Sequence, residues 1–122
     1  MSTTIVHDIR FESAHHLPNT PIGHRCRNLH GHSYVCEVHV TGPVNYKTGF
    51  ICDFAEIDDA CQSILAKLDH RLLNDVPGLE NPTSENIVHF IWQELAPKIK
   101  GLCTLVLHET STSRCIYTGP SP

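Results

Sequence analysis

The sequence lacks any long apolar run and any cluster of positive charge. No apolar segment approaches the roughly 20 residues that a helix needs to cross a bilayer. The first residues also lack the basic stretch and apolar core of a secretory signal. Nine basic against thirteen acidic residues give a net charge of −4, which argues against nucleic acid or a membrane as the main partner. We therefore expect a cytoplasmic protein, and a small anionic substrate is not excluded.

Cysteine pairs with CxxC spacing are also missing, although the chain has six cysteines. We expect them to be reduced, and most of them to be small core residues. The absence of an HExxH motif argues against a zincin-type protease. The 122 residues fit one domain, residues 1–122. Ten histidines are the unusual feature, and they indicate metal binding or acid–base chemistry.

Hydrophobic periodicity predicts four strands and two helices. Alternating apolar and polar residues place the strands within residues 4–15, 30–41, 103–109 and 115–118. Helical spacing predicts one helix after the cap Asp53 and another near the cap Ser84, with a loop from Asp69 to Gly78 between them. The ββααββ order indicates an α+β fold, a four-stranded antiparallel sheet with two helices on one face. Its free edges favour oligomerisation.

The strongest local motif is His30-Gly31-His32. Residues i and i+2 of a strand point to the same side, so both imidazoles can reach one ion. Zinc in catalytic sites takes three protein ligands and keeps one open position. The candidates for the third ligand are His15, His16 and His24. Strand parity favours His15, although a β-bulge would reverse that choice.

Cys26 lies four residues before His30, on the segment that approaches the expected metal site. The flanking Arg25 and Arg27 favour the thiolate form, which could remove a proton from a metal-bound substrate. Two alternatives stay open. Cys26 can be an incidental loop cysteine, or a fourth zinc ligand that would make the site structural.

Asp69 and His70 follow the first predicted helix. A carboxylate that orients an imidazole fixes its tautomer and raises its basicity, which suits proton transfer. The alternative is a helix C-terminus, with His70 interacting with the helix dipole.

Glu109 shares the parity of Leu105 and Leu107 on a predicted strand. A carboxylate on an apolar face is costly to bury unless it is paired. A ligand with two adjacent N–H groups would suit it, and the alternative is a solvated residue at the end of the strand.

Together these segments resemble the 6-pyruvoyl-tetrahydropterin synthase superfamily over nearly the whole chain. The resemblance is carried, in the family order, by Phe11-Glu12-Ser13-Ala14-His15, Cys26 to His32, Thr48 to Phe54, Leu68 to Asn74, Asn81 to Glu85 and Glu109-Thr110. The short Cys-x-Asn-Leu-His-Gly-His form is similar to that of the bacterial carboxytetrahydropterin synthases of queuosine biosynthesis.

The resemblance implies a tunnelling fold that assembles as a homo-oligomer, a hexamer or tetramer, with active sites at subunit interfaces. It implies a zinc ion held by three ligands, His15, His30 and His32. Cys26 would be the base and Asp69–His70 the second proton-transfer pair, delivered from a neighbouring subunit. The expected substrate contacts are Glu109 and Thr83 for the pterin, and Arg25 and Arg27 for the phosphates.

The implied substrate is 7,8-dihydroneopterin triphosphate. The implied products are 6-carboxy-5,6,7,8-tetrahydropterin, acetaldehyde and triphosphate, which would make the protein a carbon–carbon lyase. Two alternatives stay open, a 6-pyruvoyl-tetrahydropterin synthase and a pterin- or zinc-binding protein without turnover.

Overall fold

A computed structural model describes residues 3–121 of the protein. The centre of the molecule is a five-stranded sheet. Two long strands, β1 (Thr3–His15) and β2 (His30–Gly42), run antiparallel along their whole length. Strand β4 (Leu102–His108) pairs antiparallel with β2, and β5 (Arg114–Tyr117) pairs antiparallel with β4. The alternation of apolar and polar residues thus forms the two predicted long strands, because the apolar residues share one side of each strand and that side is buried.

Two helices cover the buried side of the sheet, α1 (Phe54–Leu68) and α2 (Ser84–Leu95). Asp53 caps α1 by accepting the backbone N–H of Ala55 at 2.9 Å. The prediction that Ser84 caps α2 is wrong. Thr83 occupies that position with an extended backbone, and its hydroxyl oxygen accepts the N–H of Asn86. Neither helix, nor any other within residues 3–121, has the length and apolar character to span a membrane.

The prediction of four antiparallel strands is also wrong, because a fifth strand lies on the free edge of β1. This strand, β3 (Arg71–Leu72), pairs parallel with β1 and makes the sheet mixed, in the order β3-β1-β2-β4-β5. The cause is local. At the end of α1 the chain turns at His70, whose φ is +57°, and the His70 N–H donates to the carbonyl oxygen of Glu12. The sequence order therefore becomes ββαβαββ.

The turn between α2 and β4 holds the end of β2 through Gly101. The N–H of Thr41 donates to the carbonyl oxygen of Gly101 at 2.9 Å. Gly101 has a φ of +87°, and a Cβ atom at this position would lie 2.3 Å from the carbonyl oxygen of Thr41. Only glycine fits such a close approach of two backbones.

The chain after β5 folds back over α2. The ring of Trp92 meets Tyr117 edge-on at a centroid distance of 5.3 Å. Gly119 follows with a φ of +92°, and a Cβ atom there would lie 2.8 Å from Cζ2 of Trp92. The C-terminal residues therefore pack directly on this indole.

The sheet side without helices carries a carboxylate between two imidazoles. Oε1 of Glu37 is 2.9 Å from Nε2 of His39, and Oε2 of Glu37 contacts Nε2 of His108 on β4. These hydrogen bonds, that of His108 first, lower the pKa of Glu37. A group with a lowered pKa in the folded state stabilises the fold above its ordinary pKa.

Replacing Glu37 by glutamine is expected to lower the free energy of unfolding at pH 7 by about 1 kcal/mol, because two charge-assisted hydrogen bonds become neutral. The loss should shrink as the pH falls from about 4.5 through the lowered native pKa, since protonation removes the same charge from the wild type. Urea denaturation at neutral and acidic pH measures both. A difference that stays the same size as the pH falls through this range would contradict this account.

Candidate active site

Three histidines converge where β1 ends and β2 begins. His15 is the cross-strand partner of His30, and Ser13 is the partner of His32, so all three imidazoles lie on the helix side of the sheet. Their ring centroids are 4.5 to 5.1 Å apart. One ring nitrogen from each histidine lies within 4.8 Å of the others. Within residues 3–121, no other three His, Cys, Asp or Glu side chains bring their ligand atoms this close together.

Backbone carbonyls orient two of these rings. Nδ1 of His15 donates to the carbonyl oxygen of Pro82 at 2.8 Å, and Nδ1 of His30 donates to that of Asn28 at 2.7 Å. Each contact leaves Nε2 as the free nitrogen. Nε2 of His15 and Nε2 of His32 are buried without a hydrogen-bond partner. A buried polar atom without a partner calls for an explanation such as a bound ion.

The donor set fits a metal ion that prefers nitrogen ligands. Burial lowers the pKa of His15, and the neighbouring His30 and His32 act in the same direction. Burial also lowers the pKa of His32. The neutral imidazole, which is the metal-binding form, is therefore favoured. Three such ligands with a fourth position open are typical of catalytic zinc.

Glu109 lies beside the three histidines, directly after the last residue of β4. The hydroxyl of Ser84, at the start of α2, donates to its Oε2. Its Oε1 is 3.2 Å from Nε2 of His32, within ion-pair distance but without hydrogen-bond geometry. Ser84 and Glu109 also line a cavity of about 250 Å³. Glu109 is thus held on one oxygen, and its other oxygen faces the site.

Cys26 is half-buried in a 3-10 turn, Arg25–Arg27. The turn is fixed by the Leu17 N–H, which donates to the carbonyl oxygen of Cys26 at 2.7 Å. The Cys26 N–H donates to Nδ1 of His24 at 3.1 Å, so His24 supports this turn.

The two arginines of this turn differ in their surroundings. Arg25 is exposed. The guanidinium of Arg27 donates to the carbonyl oxygens of Pro18 and Thr20, which fastens the preceding loop. Arg27 therefore has an evident structural task besides the predicted phosphate contact.

Asp69 and His70 lie within ion-pair distance of each other. Oδ1 of Asp69 accepts the backbone N–H of Glu12 at 2.8 Å, and its Oδ2 is 3.0 Å from Nδ1 of His70. These contacts, the backbone one first, lower the pKa of Asp69. The His70 side chain is 79% exposed, which leaves its Nε2 open to solvent. His70 and His32 line one shallow cavity of about 540 Å³.

Sequence reasoning missed several supports of this site. The carbonyl groups of Pro82 and Asn28 orient the rings of His15 and His30, but every residue has a carbonyl group, so no residue type signals that role. The pattern predicts that Ser84 is a helix cap, and its hydroxyl holds Glu109 instead. Of the alternative third ligands, His16 lies outside the group of three, and its N–H donates to the side chain of Asn74.

Comparison with known sequences gives consistent matches. The family model described as 6-pyruvoyl tetrahydropterin synthase matches residues 4–120. A 6-carboxy-5,6,7,8-tetrahydropterin synthase of Synechocystis sp. is 36% identical, over 95% of this chain and 93% of the relative. A 6-pyruvoyl tetrahydrobiopterin synthase of Dictyostelium discoideum is 35% identical, over 98% and 99%. A 6-carboxy-5,6,7,8-tetrahydropterin synthase of Bacillus subtilis is 30% identical, over 90% and 81%.

Solved structures share the fold at lower sequence identity. The 6-pyruvoyl tetrahydropterin synthase of Caenorhabditis elegans superposes with a TM-score of 0.88 at 24% identity, and covers 98% of this chain and 97% of that chain. An uncharacterized protein from Wolinella succinogenes superposes with a TM-score of 0.83 at 19% identity, over 98% and 99%. The arrangement of two helices on one side of the sheet is therefore shared with these proteins.

Proposed function

The chain belongs to the 6-pyruvoyl tetrahydropterin synthase family, and from that premise we propose that it is a 6-carboxytetrahydropterin synthase. It would convert 7,8-dihydroneopterin triphosphate and water to 6-carboxy-5,6,7,8-tetrahydropterin, acetaldehyde and triphosphate, for queuosine biosynthesis. The observation that carries the proposal is the convergence of three histidines with Glu109, whose second oxygen faces them. The Synechocystis and Bacillus relatives carry the same activity in their names.

We assign zinc to Nε2 of His15, His30 and His32. Bound zinc would polarise oxygen atoms of the substrate side chain, so that neighbouring C–H groups become more acidic. The chain's own contribution is orientation, because two backbone carbonyls hold ligand rings by their Nδ1–H groups. Such outer contacts fix the tautomer of a ligand.

Glu109 would bind the pterin ring. Its free Oε1 can accept N–H groups of a planar heterocycle, while Ser84 keeps Oε2 in place. The adjacent cavity of about 250 Å³ gives room at this carboxylate. The Thr83 oxygen is used to cap α2, which leaves its proton free to donate to the same ring.

Two groups would move protons. Cys26 as thiolate would remove a proton from the substrate side chain, and Nε2 of His70 would exchange the second one. Asp69, whose Oδ2 is 3.0 Å from Nδ1 of His70, would orient that ring for the transfer. Arg25 and Arg27 remain candidates for the triphosphate.

Replacing Asp69 by asparagine is expected to lower kcat by about 10²-fold or more, since His70 loses the carboxylate that sets its tautomer. The matched control is Asp58→Asn, which breaks another exposed Asp–His pair, that of Asp58 with His7 at 2.7 Å. This control should leave kcat unchanged. Steady-state kinetics measure both variants. A kcat of Asp69→Asn equal to that of the wild type would remove Asp69 from the mechanism.

We also propose that the protein acts as a homo-oligomer, a hexamer or tetramer, with Asp69–His70 serving the site of a neighbouring subunit. Mixed oligomers of Cys26→Ser and Asp69→Asn chains test this. If the two groups belong to different subunits, some sites regain both, and activity returns on mixing. No recovery in a verified mixed oligomer would place both groups in one chain.

The first experiment is mass spectrometry of the products after incubation of the zinc-loaded protein with 7,8-dihydroneopterin triphosphate. A 6-carboxy product with acetaldehyde is expected. A 6-pyruvoyl product would identify the sister activity, which the Dictyostelium relative supports. Unchanged substrate would leave a pterin- or zinc-binding protein without turnover.

A further inference from the structure

Tyr34 lies between the core and the three histidines. It belongs to β2, two residues after His32, and its side chain is 1% exposed. Its ring stacks on Phe11, its partner on β1, at a centroid distance of 4.8 Å and an interplanar angle of 13°. The same ring meets His15 and His32 edge-on, at 6.2 and 5.5 Å. The packing therefore fixes the ring and directs its hydroxyl toward the site.

The hydroxyl of Tyr34 contacts the ring nitrogen that Pro82 already uses. Its oxygen is 3.4 Å from Nδ1 of His15, and the Pro82 carbonyl oxygen is 2.8 Å from the same atom. A carbonyl oxygen can only accept, so Nδ1 carries the proton. The Tyr34 oxygen then accepts the longer branch of a bifurcated hydrogen bond. The His15 ring is thereby held from two directions.

We propose that Tyr34 is a positioning residue of the metal site, which together with the Pro82 carbonyl keeps Nε2 of His15 aimed at His30 and His32. The inference rests on the zinc site proposed above. Outer contacts of this kind change metal affinity because they restrict the ligand ring before the metal binds. Without the phenol oxygen, the His15 ring keeps one contact and gains space to turn.

The test is the zinc affinity of Tyr34→Phe, which removes only the oxygen and its proton. Its dissociation constant for zinc is expected to rise about tenfold, measured by competition with a chromophoric chelator. Absorption of the Co²⁺-loaded protein gives a second readout of ligand geometry. The matched control is Tyr117→Phe, the same change on β5, where the ring contacts His89 and Trp92. This control should bind zinc like the wild type.

Three results separate the possible failures. Equal zinc affinity of Tyr34→Phe and wild type would overturn the role of Tyr34. Wild-type protein that binds no zinc, or a His30→Ala variant that binds it equally well, would overturn the zinc site itself. The third result concerns the metal-free Tyr34→Phe protein. If its free energy of unfolding falls by as much as its free energy of zinc binding, the hydroxyl supports the fold and not the metal site, and the proposal is also overturned.

Discussion

Replacing Cys26 by serine is expected to lower kcat by about 10³-fold and to leave zinc binding unchanged. A serine hydroxyl is not ionised near neutral pH, so the variant lacks the base, and general-base catalysis typically contributes 10²- to 10⁴-fold. The 3-10 turn should tolerate the change, since its hydrogen bonds at this residue use the backbone. Steady-state kinetics and metal analysis of the same preparation measure the two effects.

Cys52→Ser is the matched control for this experiment. Cys52 is also half-buried, but it lines a cavity together with Lys98 and Gly101 to which none of the three histidines contributes. Its replacement should change neither kcat nor zinc content. If Cys26→Ser loses zinc together with activity, Cys26 is a fourth ligand and the site is structural. If it keeps full activity, Cys26 is an incidental loop residue.

Replacing Gly101 by alanine is expected to destabilise the fold by about 4 kcal/mol, enough to unfold a marginal domain. Two costs combine. A φ of +87° is strained for any residue with a Cβ, and that Cβ would lie 2.3 Å from the Thr41 carbonyl oxygen. The neighbouring backbone cannot retreat freely, because the Thr41 N–H is bonded to the Gly101 carbonyl. Urea denaturation measures the loss, and failure to accumulate as soluble protein would be its extreme form.

Gly49→Ala isolates the first of these costs. Gly49 has a φ of +79°, but no atom lies within 4 Å of a Cβ built there. The expected loss is therefore the backbone strain alone, about 1 kcal/mol. Equal losses in the two variants would show that the Thr41 contact relaxes without cost.

The sequence was sufficient for the parts of the fold that repeat. Regular alternation over residues 4–15 predicted β1, whose pairing with β2 is unbroken from Thr3 to His15. The same parity selected His15 over His16, and the structure groups His15 with His30 and His32. It also put Glu109 on the side of the sheet where it meets His32.

The parts that depend on where elements end could not be predicted. Strand β3 has two residues, too few to show a period, and it forms because α1 ends beside the backbone of Glu12. The contact of Ser84 with Glu109 depends on how the start of α2 meets the end of β4. Neither contact can be predicted from the residue types of a single segment, because each joins two segments that are distant in the sequence.

Trp92 is expected to supply an optical signal that is independent of the proposed metal site. It is the chain's one tryptophan, and it lies about 12 Å along α2 from Ser84. The ring of Tyr117 and the backbone at Gly119 cover it. Its fluorescence should therefore respond when the C-terminal residues leave α2, and remain constant when a chelator removes a metal from the histidines. Emission from a single residue can thus distinguish loss of a bound ion from detachment of the C-terminal residues.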